Sequence, residues 1–338
     1  MKKRADIRAI AYYLPEGAVT NEMLSNEHPD WDMRRVLART GVATRHVAQP
    51  DETAFDLACR ACDLLFQDQP LARERIDAIL FCTQTADYLL PSNSTLLHGY
   101  LELEEDVFAL DFSLACSGFV YGLALAQSLI VSGIATDVLL VTADTYTKYI
   151  HPGDRSARTL FGDGAAATWI SVSNSDRGVL DVQCATSGKD HGMFVIPAGG
   201  CRLPRSPQTS VAKADLTGNV RSPENIHMDG SGILSFVESV VPRQVTDVLA
   251  RNQLTMADID LVILHQASKV TMDSLCRILG IPGDKTFSNL RDIGNTVSAS
   301  IPIALRDAMD QGRTRPEQRI LLCGFGVGMS WATAILQT

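Results

Sequence analysis

Two stretches of the chain, LARERIDAILFCTQ (71–84) and LTMADIDLVILHQA (254–267), align without gaps at an offset of 183 residues. Leu, Ile and Asp stand at equivalent positions in both stretches, and a similar apolar run follows in each. Two further pairs of segments repeat in the same order at offsets of 179 and 182 residues, namely 116–133 with 295–312, and 137–141 with 319–323. Three ordered matches at nearly one offset indicate an internal duplication.

Strand-like and helical apolar runs alternate along the chain, which predicts an α/β fold with largely internal sheets. The strand-like runs are IDAILFCTQ (76–84), VFALDFSLAC (107–116), DVLLVTAD (137–144), AAATWISV (165–172), DLVILHQA (260–267), KTFSNL (285–290), RILLCGFG (319–326) and SWATAILQ (330–337). We place the boundary of the duplication near SNSDRG (173–178). This predicts an N-terminal half of residues 1–175 and a C-terminal half of residues 176–338.

The duplication also predicts where the chemistry is concentrated. It aligns Cys82 with His265, and Cys116 with Asn295. A pseudo-two-fold fold would bring the N-terminal ends of two equivalent helices, and the ends of their strands, towards one centre. We therefore expect a site between the two halves.

Composition and charge exclude several classes of protein. Hydrophobic residues make up 46% of the 338 residues and charged residues 20%, which supports a large core and argues against disorder. The net charge of −9 disfavours non-specific nucleic-acid binding. The start, MKKRADIRAIAYYLPEG (1–17), is more typical of a first β-strand and turn than of a signal peptide. No run reaches the ~18 apolar residues of a membrane helix, so we expect a cytoplasmic protein.

The eight cysteines are scattered along the chain in a pattern typical of reduced thiols. Cys59 and Cys62 form a CxxC motif, but their apolar neighbours repeat at helical spacing. No second CxxC or nearby histidine completes a zinc site. We expect both thiols to pack on a buried helix face, and we predict no metal.

Cys116 stands at a predicted junction between a strand, ending near Phe112, and a helix, beginning near Ser117. The exposed N–H groups at a helix N-terminus carry partial positive charge, which lowers the pKa of a thiol and raises its thiolate fraction. The alternative is a buried structural cysteine, an interpretation that suits the other seven. The junction and its small neighbours favour a nucleophile for Cys116.

Two further polar residues are candidates because of their positions. His265 ends an apolar strand, where α/β sites concentrate, although a lone histidine is more often a packed or surface residue. Asn295 precedes a predicted helix, so it is either functional or a simple helix N-cap. The tail GFGVGMSW (324–331) lies between two strands, so its glycines bring backbone N–H groups near a reacting centre rather than bind a dinucleotide.

Seven motifs occur in the order found in one known family: YLPEGAVTN (13–21), ARTGVATRHVA (38–48), DFSLACSGF (111–119), HPGDRSARTLFGDGA (151–165), ILHQAS (263–268), DIGNTVSASIP (292–302) and GFGVGMSW (324–331). Together they resemble β-ketoacyl-acyl-carrier-protein synthase III, one of the thiolase-fold condensing enzymes. The resemblance implies a thiolase-like α/β fold, with two pseudosymmetric halves and stacked mixed sheets around buried helices.

The resemblance also implies the chemistry. Cys116 takes the acyl group of an acyl-coenzyme A primer, and the amides of Cys116 and Gly328 form an oxyanion hole. His265 and Asn295 donate hydrogen bonds to the carbonyl oxygen of a malonyl thioester as carbon dioxide leaves. The implied partners are acyl carrier protein, which delivers the malonyl group, and a second copy of the chain in a homodimer. No cofactor is expected, since the coenzyme A thioesters are substrates.

The family's substrate-binding positions fall, in this chain, on Arg35, Arg39, Leu90, Arg155, Gly232 and Ser268. Arg35 stands where the family often has a tryptophan that stacks on adenine, and Ser268 replaces the asparagine of an HQAN motif. Leu90 is smaller than the phenylalanine of many acetyl-selective members, which favours a medium-chain primer in fatty-acid or secondary metabolism. The segment 189–228 looks longer than in housekeeping members, and we expect it to shape the entrance.

Two other functions compete with decarboxylating condensation. An acyltransferase would use the same Cys116 to esterify a small molecule, but it stabilises no enolate and tends to lack the asparagine at position 295. A degenerate subunit that supports a catalytic partner would not need Cys116, His265 and Asn295 together. Release of carbon dioxide separates the first alternative from condensation, and trapping of an acyl-enzyme separates the second.

Overall fold

Strands and helices alternate along the whole chain in the computed structural model, which describes residues 3–338. The strands are β1 Arg4–Tyr13, β2 Ala18–Thr20, β3 Thr44–His46, β4 Ala78–Cys82, β5 Phe108–Phe112, β6 Asp137–Asp144, β7 Gly164–Ser173, β8 Gly178–Thr186, β9 Phe194–Val195, β10 Lys213–Ala214, β11 Val220–Arg221, β12 His227–Met228, β13 Leu261–Leu264, β14 Arg319–Gly326 and β15 Ser330–Gln337. The helices are α1 Asn21–Glu27, α2 Met33–Thr40, α3 Ala54–Asp68, α4 Asn93–Tyr100, α5 Gly118–Ser132, α6 Arg155–Arg158, α7 Gly230–Arg251, α8 Lys269–Leu279, α9 Leu290–Ile293 and α10 Ser300–Asp310.

The two large sheets repeat one topology. The first has the order β1-β7-β6-β4-β5, and the second has the order β8-β15-β14-β13. The strands β5, β4 and β6 of the first sheet are parallel to one another, as are β13 and β14 of the second, and the remaining strand pairs of both sheets are antiparallel. The predicted α/β architecture of two similar halves is therefore confirmed. The boundary between residues 175 and 176 lies in the loop between β7 and β8, and as a domain division it stays a prediction.

The strand predictions hold with one exception. Seven of the eight apolar runs contain a strand, and the strand predicted at the start of the chain is β1. Met1 and Lys2 of that segment lie outside the described residues. The prediction for KTFSNL (285–290) is wrong, since only Thr286 forms a bridge, to Val262. The turn at Gly283–Lys285 and the start of α9 at Leu290 leave too few extended residues for a strand.

Helices α5 and α10 lie between the two sheets, in the middle layer of the molecule. Their apolar residues share one core with the inner faces of both sheets, including Leu80, Leu140 and Leu322. Helix α5 is apolar almost all round, as expected for a helix that packs between two sheets. No helix within residues 3–338 has the length and apolar character needed to cross a bilayer.

The outer faces of the sheets are covered by further helices. Helix α3 packs on the first sheet, and its Cys59 and Cys62 belong to that core, as predicted for the CxxC motif. Helices α7 and α8 cover the second sheet. The strands β4, β6, β13 and β14 are buried along almost their whole length, so they are continuous apolar runs rather than alternating ones. The layers therefore follow the order helix, sheet, helix, sheet, helix.

The fold predicts different consequences for two glycines in helices. A Cβ at Gly118, the first residue of α5, would overlap the Sγ atom of the fully buried Cys82, whereas a Cβ at Gly99 in α4 would meet nothing within 4 Å. Because overpacking a rigid core costs ~1–3 kcal/mol, we expect Gly118→Ala to lower the free energy of unfolding by about that amount. Urea unfolding followed by circular dichroism measures the change.

Gly99→Ala is the matched control. We expect it to leave stability unchanged or to raise it by up to ~1 kcal/mol, because alanine favours the helix over glycine. A Gly118→Ala protein as stable as the wild type would contradict the tight packing of α5 on β4.

Candidate active site

One cavity of about 830 Å³ brings Cys116, His265 and Asn295 together. All three side chains are at least 96% buried, whereas Arg35 and Arg39 on the same cavity wall are exposed. The cavity therefore leads from a charged mouth, where arginines and aspartates both lie, to a buried polar floor. Cys116 comes from the N-terminal half, and the other two come from the C-terminal half, as the duplication predicts.

Cys116 lies in the connection between β5 and α5, where the backbone of β14 comes very close. A Cβ at Gly326 would lie 2.8 Å from the Cys116 Sγ atom, and one at Gly324 would lie 2.7 Å from the Cys116 carbonyl oxygen. Only glycine at these two positions allows this approach. The first glycines of the GFGVG tail therefore let a strand of one half pack against the cysteine of the other.

The expected lowering of the Cys116 pKa is wrong for the protein without substrate. Burial raises the pKa of the thiol to about 12, and the negative charge of Asp144 acts in the same direction. The backbone N–H groups of Val327 and of Cys116 itself favour the thiolate but do not offset burial. Helix α5 begins two residues later, at Gly118, so its N-terminus is not directly at the sulfur.

The predicted oxyanion amide at Gly328 lies one residue beyond Val327, the residue whose N–H group reaches the resting thiol. Gly328 has a φ of 135°, in the region that favours glycine. Glycine at this position is thus required by the turn between β14 and β15. Its role as an oxyanion donor stays a prediction.

His265 directly follows β13 and is held through both its backbone and its ring. Its backbone N–H donates to the Cys323 carbonyl at 2.8 Å, and its Nδ1 lies 2.6 Å from the Oγ atom of Ser300. Burial lowers the pKa of His265 to about 3, so the ring is neutral at physiological pH. Sequence reasoning missed Ser300, although it lies within the DIGNTVSASIP motif, five residues after Asn295.

Asn295 is fixed through its backbone and its side chain. Its N–H donates to the Leu160 carbonyl at 3.0 Å, and its side-chain Oδ1 accepts from the Val297 N–H at 2.9 Å. This leaves the Nδ2 group directed to the site, 3.4 Å from the His265 Nε2 and 3.4 Å from the Ala267 carbonyl. The cap-like bond to Val297 therefore orients the amide, so the two interpretations of Asn295 are compatible.

The predicted substrate-binding residues divide into two groups. Arg35, Arg39, Arg155 and Ser268 line the cavity. The Ser268 Oγ also accepts from the Thr271 N–H at 3.3 Å and so caps the N-terminus of α8.

Gly232 and Leu90 are not part of the cavity wall. Gly232 is in the first turn of α7, where its N–H donates to Asp229 at 2.9 Å, and its neighbours Ser231 and Ile233 line the cavity instead. Leu90 lies in the loop before α4 and is 83% exposed. A single chain does not test the predicted role of Leu90 in a second subunit's pocket.

The segment 189–228 forms part of the cavity wall through the hairpin of β10 and β11. Arg221 bonds Asp154 at 2.5 and 3.1 Å and Asp215 at 3.1 Å, which fixes the hairpin beside Arg155. The Arg155 guanidinium in turn donates to the Thr217 carbonyl at 3.3 Å. Within residues 3–338 no cluster of His, Cys, Asp or Glu is arranged to hold a metal ion.

Comparison with known proteins places this geometry in a family. A family model described as 3-oxoacyl-[acyl-carrier-protein (ACP)] synthase III matches residues 110–188, and the corresponding C-terminal model matches residues 249–338. The chain is similar to β-ketoacyl-[acyl-carrier-protein] synthase III of Campylobacter curvus, with 33% identity over 338 residues, covering 99% of this chain and 97% of the relative.

Solved structures agree with the sequence comparison. A crystal structure of a 3-oxoacyl-(acyl-carrier-protein) synthase III matches with a TM-score of 0.96 and 39% identity, covering 99% of this chain and all of that one. The priming β-ketosynthase of the R1128 polyketide biosynthetic pathway matches with a TM-score of 0.84 and 25% identity, over 99% of this chain and 97% of that one. The chain therefore belongs to the β-ketoacyl-acyl-carrier-protein synthase III family and has its thiolase-like fold.

Proposed function

We propose that this chain is a β-ketoacyl synthase III that condenses an acyl-coenzyme A primer with a malonyl thioester, carried by acyl carrier protein, to give a 3-oxoacyl product. One observation carries the proposal: the Nε2 of His265 and the Nδ2 of Asn295 lie 3.4 Å apart in the cavity that contains Cys116. A nucleophile beside two converging donors suits a reaction with an acyl-enzyme and an enolate.

In the first half-reaction the Cys116 sulfur attacks the primer's thioester carbonyl. A new carbon–sulfur bond forms, the bond to coenzyme A breaks, and the thiol proton ends on the departing coenzyme A sulfur. The raised pKa of Cys116 means that the proton leaves during the attack rather than before it. Negative charge on the carbonyl oxygen is stabilised by backbone N–H groups at Cys116 and Gly328.

In the second half-reaction the malonyl carbonyl oxygen lies between His265 and Asn295. A Ser300 hydroxyl that donates to Nδ1 leaves the proton of the neutral imidazole on Nε2, facing Asn295. Two donors 3.4 Å apart bond each other poorly and both gain from an oxygen between them. As carbon dioxide leaves, they stabilise the enolate, whose carbon attacks the acyl-cysteine and expels the Cys116 thiolate, which takes a proton from water to restore the thiol.

Three arginines in the wall of the cavity support coenzyme A as the primer's carrier. Arg35, Arg39 and Arg155 all face the same cavity, and the guanidinium fork suits phosphate oxygens. An acyltransferase would load the same primer, but esterification of a small acceptor would not need the donor pair of His265 and Asn295. The donor pair therefore favours condensation over the acyltransferase alternative.

We further propose a cytoplasmic homodimer. The edge strand β5 leaves one side without a partner within residues 3–338, and its Phe108 and Leu110 are 38% and 39% exposed. Exposed apolar edge strands are normally covered, because they invite pairing with other chains. The apolar loop that contains Leu89 and Leu90 is also exposed. A second copy on this face would cover β5 and bring Leu90 to a neighbouring acyl pocket.

The first prediction for this function concerns loading of the primer. Incubated with a series of acyl-coenzyme A thioesters, the wild-type protein should gain one acyl mass, located on Cys116 by peptide mapping. We expect chains of about six to ten carbons to react faster than acetyl, since each buried CH₂ contributes ~0.8 kcal/mol. Intact-protein mass spectrometry over time gives the rates.

Three variants test the nucleophile, its specificity among the cysteines and the primer preference. Cys116→Ala should gain no acyl mass, whereas Cys276→Ala, on the outer helix α8, should load normally. Leu90→Phe should shift the preference towards short primers. Stoichiometric acylation of Cys116→Ala would refute the nucleophile, and a wild type that prefers acetyl to octanoyl would refute the medium-chain primer.

The second prediction separates the half-reactions through Asn295. Asn295→Ala should still load a primer, because that step does not use the amide. Release of carbon dioxide from the malonyl thioester should fall ~100- to 1,000-fold, the usual effect of removing one aimed donor. Labelled carbon dioxide is measured alongside the acyl mass.

Asn295→Asp tests the alternative of a purely structural cap. An aspartate retains an oxygen that accepts from the Val297 N–H, but it places negative charge where a donor is required. We expect decarboxylation to fail in this variant as well. Near-normal carbon dioxide release by folded Asn295→Asp would show that the amide only caps the turn.

A further inference from the structure

Asp144 is a fully buried carboxylate that lies close to the active site without a cationic partner. It is the last residue of β6, is 0% exposed, and takes part in none of the ion pairs formed within residues 3–338. A buried carboxylate is costly unless hydrogen bonds satisfy it. The identity of its donors therefore indicates what it holds in place.

The two carboxylate oxygens bind the two halves of the molecule. The Oδ1 atom accepts from the Gln84 N–H at 2.8 Å, just after β4 in the N-terminal half. The Oδ2 atom accepts from the Ser298 hydroxyl at 2.5 Å and from the Ser298 N–H at 3.3 Å, in the C-terminal half. Burial raises the pKa of Asp144 to about 7, while the bonds from Gln84 and Ser298 act in the opposite direction and favour the ionised form. Asp144 thus bridges the halves at the level of the site.

Ser298 is in the middle of the turn that sets both donors of the malonyl site. Asn295 begins this turn, and Ser300, which contacts the His265 ring, ends it. Between them, Val297 has a φ of 55°. A β-branched residue rarely adopts this left-handed conformation, and such strain persists only when surrounding contacts hold it. Backbone bonds with Leu160 and Gly162 hold the start of the turn at Asn295, and Asp144 holds Ser298, the residue after Val297.

We propose that Asp144 is a positioning residue for decarboxylation: through Ser298 it holds the strained 295–300 turn in the shape that directs Asn295 Nδ2 and His265 Nε2 to one point. This inference rests on the proposed function and assigns Asp144 no contact with substrate. Without the link, Val297 relaxes, and the Asn295 amide, which is bonded to the Val297 N–H, moves with it. Loading of Cys116 does not depend on this turn.

The test compares the two half-reactions in Ser298→Ala, which removes only the hydroxyl that Asp144 binds. We expect carbon dioxide release from malonyl-acyl carrier protein to fall about tenfold, since a misplaced catalytic group costs up to ~100-fold and the donors are still present. Acylation of Cys116 by acyl-coenzyme A should stay within about twofold of the wild type. Asp144→Asn, of nearly equal volume, should slow decarboxylation in the same way and provides the test if Ser298→Ala does not fold; because it also removes a charge that raises the pKa of Cys116, its loading should be no slower than that of the wild type.

The double variant and a matched control distinguish positioning from general destabilisation. Ser298→Ala combined with Asp144→Asn should lose no more decarboxylation than the more impaired single variant, because both break one link. Ser274→Ala removes another buried serine hydroxyl that donates to a carboxylate, that of Glu238, away from the cavity. It should change neither half-reaction.

The outcomes separate this inference from the function on which it rests. A wild type that releases no carbon dioxide would refute the proposed function and the positioning role together. If the wild type is active and Ser298→Ala decarboxylates at the wild-type rate, only the positioning role is refuted. Equal slowing of loading and decarboxylation would also refute it, since the turn would then act on the whole site.

Discussion

The close contact between Cys116 and the backbone of β14 is the constraint on which the rest of the site depends. Glycine at positions 324 and 326 lets a strand of the C-terminal half pack directly against the cysteine of the N-terminal half. This contact closes the space around the sulfur and brings the N–H of Val327 to it. It also fixes the distance between Cys116 and the strand ends that carry His265. The active site is therefore a product of how the two halves pack together.

The same packing determines the charge state of the resting site. Burial disfavours the charged form of each group, so the pKa of Cys116 rises to about 12 and that of His265 falls to about 3. The resting pair is a neutral thiol and a neutral imidazole, rather than a thiolate and an imidazolium. A neutral imidazole oriented by Ser300 suits a hydrogen-bond donor. Charge then develops first on the substrate's oxygens, where donors are already aimed.

Sequence reasoning predicted the features that depend on local pattern and on repetition. The duplicated apolar runs predicted the two sheets, and the aligned positions predicted that Cys116 and Asn295 meet. It failed where a long-range contact decides the outcome. The pKa of Cys116 depends on burial by β14, about 200 residues away in the chain, which outweighs the local helix terminus. The KTFSNL segment has the composition of a strand, but the turn before it and the helix after it leave only one bridge.

The contact between Asp144 and Ser298 was invisible in the sequence for the same reason. Neither residue is unusual in its own segment, and only the packed halves bring them together. The predicted substrate-binding residues show a limit of the single-chain structure instead. Arg35, Arg39 and Arg155 line the cavity, while Leu90 is exposed and lies outside its wall in a single chain. A residue that acts in a second subunit is not tested by the structure of one.

The most direct test of decarboxylating condensation is the stoichiometry of the wild-type reaction. The protein is supplied with octanoyl-coenzyme A and with malonyl-acyl carrier protein labelled at its free carboxyl carbon. Labelled carbon dioxide, free coenzyme A and the 3-oxoacyl thioester are then counted together. Decarboxylating condensation predicts one of each per turnover, and neither free coenzyme A nor the 3-oxoacyl thioester from the Cys116→Ala protein. Acyl transfer from the primer while the malonyl label stays intact would contradict it.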